Sequence, residues 1–324
     1  MSTERLKALG FEAAAGTLER RWIGDPVLGE VTLPAILISG AAPGSLTLVT
    51  AGLHGDEYDG LEAALRLAEE TDPARLTGSV LIIPRVHVAA FRHGWRTNDI
   101  DGLDLNRQFP GRKEGYLAQR LAWFVTEKLL PVADLAIDLH GGNTQLAVVS
   151  YGCVRAPDDI KAEMQRLLTV EHLWDFSTNP TMRGTMLDAA EDQGVPIAIL
   201  EIGGGNTWSE EPVCDALAGM RNLLRWKGQI GGNYERLPDN QLMLGGSFGN
   251  ASASGFLRPR THLGDWVKKG QVLATIVDLT GVVLEEVTSK VDGVVNDIRT
   301  MPSIQVGEWL YLVGEVLEEI RYDA

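Results

Sequence analysis

The sequence predicts an α/β protein: a mixed, mostly parallel sheet flanked by helices, followed by a small all-β C-terminal domain. Three observations carry this. Apolar strand-like runs alternate with amphipathic helical segments from about residue 45 to 227. Three of those runs, SLTLVTAG, ADLAIDLHGG and VPIAILEIGGG, end in glycine-containing loops. Beyond about residue 231 the helical period disappears, and short alternating strands separated by turns take over.

Taken in order, residues 45–52 read as a strand entering a loop, and 59–70 (DGLEAALRLAEE) as a helix. Residues 79–86 (SVLIIPRV) form a second strand, before a Gly- and Asp-rich loop, NDIDGLDLNRQFPGR. A helix is expected near 114–130, a strand at 134–140, a helix near 157–170, a strand at 195–202 and a helix through about 210–227. Alternation of this kind builds a parallel sheet covered on both faces, whose ligands bind beyond the carboxyl ends of the strands. GGNYERLPDNQ reads as a linker, which divides the chain into domains 1–230 and 231–324.

Composition narrows the function. The 324 residues are 44% hydrophobic and 23% charged, ordinary for a globular protein. A net charge of −15 excludes nucleic acid as the main partner, since phosphate binding needs a basic excess. It does not exclude a small anion held by a local arginine cluster. Two cysteines, Cys153 and Cys214, imply no disulfide framework and suit a reducing compartment. The N-terminal segment lacks an apolar signal core, and no run is long enough to span a membrane. A cytoplasmic location, no membrane partner and a small-molecule substrate are therefore expected. A homo-oligomer is compatible with the sequence.

His54, Glu57, His140 and Glu201 stand where the three apolar runs stop. Two imidazoles and a carboxylate can fill three positions of a tetrahedral zinc ion, leaving the fourth for water. A further carboxylate can take a proton from that water. The spacing H-x-x-[DE] alone is weak, because it also occurs at His172/Asp175 and His262/Asp265. Only His54 follows a buried-type strand and precedes an amphipathic helix. His172, in VEHLWDF, suits a core or interfacial role, and His262 lies in a turn.

Four ordered motifs resemble the succinylglutamate desuccinylase/aspartoacylase family, a branch of the zinc carboxypeptidase-like hydrolases. They are GLHGDE at 52–57, DLNRQFPG at 104–111, DLHGG at 138–142 and LEIGGG at 200–205. The resemblance covers roughly residues 30–225, and the β-rich tail is similar to the family's C-terminal region. It implies a zinc-carboxypeptidase-like fold and one Zn2+ per chain held by His54, Glu57 and His140. It further implies Glu201 as general acid/base, Asn106 and Arg107 as the pair binding a substrate carboxylate, and Arg96 as the oxyanion-stabilising arginine. A planar guanidinium suits a carboxylate because it pairs bidentately. Arg85 and Arg92 are competing candidates for the Arg96 role. Asp104 and Asp138, two residues from Asn106 and His140, are placed to orient a ligand histidine or an arginine. His87 and His93 flank the arginine loop and are read as structural, and nothing in the spacing singles out Arg183 or Tyr151. The glycine pairs and triplets at 141–142 and 203–205 suit close backbone approach, not phosphate binding.

The tail also resembles a biotinyl/lipoyl-type barrel-sandwich hybrid. Its hairpin tip reads Leu279-Thr280-Gly281 without the carrier lysine, so lipoylation is not expected. The implied activity is removal of an N-acyl group from a small acylated amino acid, with N-acetyl-diaminobutyrate deacetylation the specific case. A metallocarboxypeptidase is the alternative. A non-catalytic binding protein ranks last, because all four positions are filled.

Overall fold

The computed structural model describes residues 2–155, 163–164, 166–175, 183–234 and 240–321. The expected helix near 157–170 lies partly outside them; within it, residues 163–164 and 166–167 are helical. After a short helix α1 (Ser2–Ala8), strands β1 (Thr17–Ile23), β2 (Leu33–Ser39) and β3 (Ala42–Ala51) lead into helix α2 (Asp59–Glu70). Then come β4 (Thr77–Ile83), α3 (Val88–His93), α4 (Leu117–Phe124), β5 (Leu135–Gly141), β6 (Leu146–Val154) and β7 (His172–Asp175). Helix α5 (Met186–Asp192), strand β8 (Ile197–Gly204) and helix α6 (Glu210–Trp226) complete this part. The tail contributes β9 (Asn240–Asn250), β10 (Gly255–Pro259), β11 (Trp266–Val267), β12 (Val272–Val277), β13 (Val283–Thr288), β14 (Gly293–Arg299), β15 (Ser303–Ile304) and β16 (Trp309–Arg321).

Among the described residues, twelve strands join one sheet in the order β1-β2-β4-β3-β5-β8-β6-β7-β9-β16-β14-β11. It is mixed, with parallel order confined to parts of it. Strands β4, β3, β5 and β8 run parallel. So do β6, β7 and β9. The pairs β1–β2, β2–β4, β8–β6 and β9–β16 are antiparallel. β6 reverses because the four residues 142–145 that join it to β5 are too few for a helical crossover.

Alternate residues of the central strands feed two cores. Leu37, Leu48 and Leu81 pack with Leu121 and Phe124 of α4 on one face. Their neighbours Ile38, Val49 and Ile82 pack with Leu67 of α2 and with Leu217 and Met220 of α6 on the other. Burial on both sides explains the unbroken apolar runs. The helix expected over 114–130 is regular only to Phe124, after which a widened turn and a tight turn end it at Val132. Pro131 sits in that last turn, and it has no backbone N–H to continue a helix.

Strands β13, β12, β10 and β15 form a separate, small antiparallel sheet. Leu257, Leu273 and Ile276 from it share a core with Val295, Leu310 and Val313 of β14 and β16. The tail therefore lies against the large sheet and also extends it. Residue pairs Asp297–Val148 and Arg299–Leu146 stitch β14 to β6, beside the carboxyl end of β8. No helix of the described residues is long and apolar enough to cross a membrane.

Candidate metal centre and active site

His54 and Glu57 sit on the loop between β3 and α2, and His140 near the end of β5. Their ligand-type atoms lie within 4.8 Å of one another, and all three side chains are buried. His54 Nδ1 is 2.6 Å from Glu57 Oε1, and His140 Nδ1 is 3.2 Å from Glu57 Oε2. Each ring turns its other nitrogen to an outer carboxylate. His54 Nε2 is 3.1 Å from Asp104 Oδ1, and His140 Nε2 is 2.9 Å from Asp138 Oδ2. Both Nδ1 atoms face Glu57, the third member of the triad, and both Nε2 atoms face a carboxylate outside it; with a cation on the triad, Nδ1 is the ligand atom and Nε2–H is held by the outer carboxylate. Thr50 Oγ1 donates to Asp138 Oδ1 at 2.7 Å, and Arg96 donates to Asp104 Oδ2 through Nε and Nη2. The network thus runs unbroken from β3 to the arginine loop.

Electrostatics agree with a cation site. Burial raises the Glu57 carboxyl, but the charges and hydrogen bonds of His54 and His140 outweigh it and hold it well below the usual range. Asp104 is likewise held low against its burial, by His54 and Arg96. Burial disfavours the His140 imidazolium, yet Asp138 and Glu57 raise its pKa well above the ordinary value. Positive charge is welcome at this point, and the donor set of two nitrogens and a carboxylate fits zinc.

The loop has two further supports. Buried Arg85 donates to the backbone carbonyls of His54 at 2.8 Å and Glu57 at 3.0 Å. Spacing gave no sign of this role, because Arg85 acts through main-chain atoms. Gly141 allows its strand to run against β8, since a Cβ there would lie 2.0 Å from Ile202 O.

Glu201 on β8 is in register with His140 on β5 and with Tyr151 on β6. Burial, Glu57 and Asp297 raise its pKa, His140 and Arg96 oppose, and the result is about 8. Glu201, the triad, Arg96, Asn106 and Arg107 line one pocket of about 130 Å³. Asn106 Oδ1 accepts from Met186 N–H at 2.9 Å, which leaves its Nδ2 beside His140, 3.4 Å from Nε2. Of the arginines weighed from sequence, Arg96 reaches this pocket, Arg85 is buried beneath the loop, and Arg92 is exposed. Tyr151 lines it, whereas Arg183 is exposed beside Asp188. His87 is fully buried 3.0 Å from Asn98 Nδ2, and burial lowers its pKa to about 4. His93 and His262 are exposed, and His172 is buried in β7, outside the triad. A larger groove of about 620 Å³, between β6 and the start of α6, contains none of His54, Glu57, His140 and Glu201.

The same pocket has walls that sequence reasoning missed. Trp174, Phe248, Asp297, Trp309 and Leu312 come from β7, β9, β14 and β16. No local motif marks them, because pairing between strands distant in the sequence brings them there.

Residues 43–226 match the Succinylglutamate desuccinylase/Aspartoacylase catalytic domain. The chain belongs to the succinylglutamate desuccinylase/aspartoacylase family. It is similar to the N-alpha-acetyl-L-2,4-diaminobutyric acid deacetylase of Halomonas elongata, at 30% identity over 305 residues, 90% of this chain and 88% of that protein. It is also similar to the product-bound structure of the ectoine utilization protein EutE from Ruegeria pomeroyi, with 28% identity and a TM-score of 0.84 over 94% of this chain and 97% of that one. A succinylglutamate desuccinylase structure from a Silicibacter species matches at 26% identity and a TM-score of 0.84, over 94% and 97% of the two chains. The family comprises metal-dependent hydrolases of N-acyl amino acids, and the buried His54–Glu57–His140 triad is consistent with its zinc site.

Proposed function

We propose that this protein is a zinc-dependent amidohydrolase that removes the N-acyl group from a small N-acylated amino acid, with N-acetyl-diaminobutyrate as the leading substrate. One observation carries the reading: a partly buried carboxyl, Glu201, stands in register with His140 inside the pocket that holds the triad. His54, Glu57 and His140 hold the zinc ion, and Asp104 and Asp138 fix the two rings. When bound, zinc supplies Lewis acidity, polarising a carbonyl and acidifying water.

Glu201 takes the proton of the attacking water and returns it to the leaving amine. Burial raises this carboxyl and a divalent cation on the triad lowers it, opposing effects that suit a group taking and returning a proton near neutral pH. Arg96 faces the oxygen that becomes negative in the tetrahedral intermediate. Asn106 and Arg107 take the substrate's carboxylate. The pocket's 130 Å³ is small beside the roughly 300–1,000 Å³ of drug-sized sites. That favours a compact acylated amino acid over an extended peptide. The tail from residue 231 onward acts as a second domain that closes one wall of the pocket.

The test incubates zinc-loaded protein with N-acetyl, N-succinyl and N-formyl amino acids and with short peptides, and detects released amine. Turnover of an acylated amino acid supports the reading. Turnover of peptides alone replaces it with a metallocarboxypeptidase.

A further inference from the structure

Asp297 is assigned no contact with the substrate in the reading above; its stated influence is on the Glu201 carboxyl. It is only 7% exposed, yet it lines the same pocket as the triad. Its position is set by an irregularity. The pairing of β14 with β16 shifts register between Val295 and Asp297, and bulges of this kind re-aim a side chain. Its Oδ1 is buried without a hydrogen-bond partner among the described residues. Burial alone raises its pKa to about 8, with no neighbouring positive charge to counter it. A buried carboxylate with no partner is costly, and a cation arriving in the pocket removes that cost.

Aromatic rings border the same space. Tyr151 and Trp174 lie 6.1 Å apart by ring centroids, Trp174 and Phe248 6.0 Å, and Phe248 and Trp309 5.1 Å. All four line the pocket. Ring faces attract ammonium groups, and they do so most strongly where water is excluded. A buried, unpartnered carboxyl beside such a wall is the chemistry of an ammonium subsite, because an arriving cation favours its charged form. The pocket also contains Arg107 for the opposite charge.

We infer that Asp297, backed by the aromatic row of Tyr151, Trp174, Phe248 and Trp309, binds a cationic group on the substrate's side chain and selects acylated diamino acids over neutral ones. The inference rests on the deacylase reading for the position of the substrate, and it deepens that reading by assigning the side-chain subsite. Charge-assisted hydrogen bonds are the strong ones, so loss of this contact removes a large part of the discrimination.

The test uses the zinc-loaded full chain, wild type and Asp297→Asn. Calorimetry compares free 2,4-diaminobutyrate with 2-aminobutyrate, which lacks only the ammonium. Hydrolysis of their N-acetyl forms is measured in parallel. Wild type is expected to favour the diamino compound by about 10- to 100-fold in Kd and at least as much in kcat/KM. In Asp297→Asn that ratio is expected to collapse toward one. Equal binding of the two compounds by wild type overturns the inference, whether or not the variant folds. A folded Asp297→Asn that keeps the preference overturns it as well. If neither acetylated compound is hydrolysed while diaminobutyrate still binds more tightly, the deacylase reading falls and the ammonium subsite stands.

Discussion

His140 and Glu201 are direct neighbours, paired in register on the parallel strands β5 and β8. The pairing puts an imidazole of the metal-type triad and a carboxyl side by side, on rigid backbone rather than on loops. It brings together two motifs whose key residues are sixty-one positions apart in the chain.

Asp138→Asn is predicted to lower zinc affinity by about 10- to 100-fold, the usual effect of losing a carboxylate behind a ligand histidine. The Asp138 carboxylate 2.9 Å from His140 Nε2 fixes the ring so that Nδ1 faces Glu57. Competition titration with a chelator measures the change. An unchanged affinity removes Asp138 from the support of the site.

Arg107 is predicted to anchor the substrate carboxylate. Wild type should strongly prefer an N-acyl amino acid to its methyl ester or amide, and Arg107→Ala should lose that preference. Arg107→Lys keeps the charge without the planar fork, so it should already impair kcat/KM. Equal hydrolysis of acid and amide by wild type contradicts the assignment.

Much of this was legible in the sequence, for a physical reason. Strands buried on both faces, such as β3 and β5, show as unbroken apolar runs, and a parallel sheet gathers their ends at one edge. His54, Glu57, His140 and Glu201 could therefore be located by where those runs stop. β6 was not foreseen, and neither were Trp174, Phe248, Asp297 and Trp309 as pocket walls. Their place depends on long-range pairings of β6 with β14 and of β9 with β16. Arg85 was weighed only as an alternative oxyanion arginine, because its partners are carbonyl oxygens, which no side-chain motif encodes.

Asp297 should also leave a mark on stability. Its pKa in the fold is raised to about 8, above the ordinary carboxyl value. A carboxyl raised by folding binds its proton more tightly in the native state. The fold is then most favoured at low pH, where both states are protonated, and loses stability as pH rises from about 4 to about 8. Asp297→Asn removes that dependence. It is predicted to raise Tm at pH 8 by an amount worth a few kcal/mol, with little effect near pH 4. Thermal melts across this range check it, and an equal effect at both pH values contradicts it.

The rate should follow the ionisation of Glu201. As a base it works only when deprotonated, so kcat/KM rises with pH along an acid limb. Burial pushes that limb up toward 8, and a divalent cation on the triad pulls it below. A pH–rate profile for an N-acyl amino acid locates it. A flat profile from pH 5 to about 8 removes Glu201 from the rate-determining proton transfer.

Turnover and zinc content of Glu201→Gln, measured on the same sample, test the central claim most directly. Glutamine keeps the shape but cannot accept the proton. One zinc per chain with kcat lower by about 10²- to 10⁴-fold is the predicted result. Full zinc with wild-type kcat contradicts the account, because the carboxyl beside His140 would then take no part in the reaction.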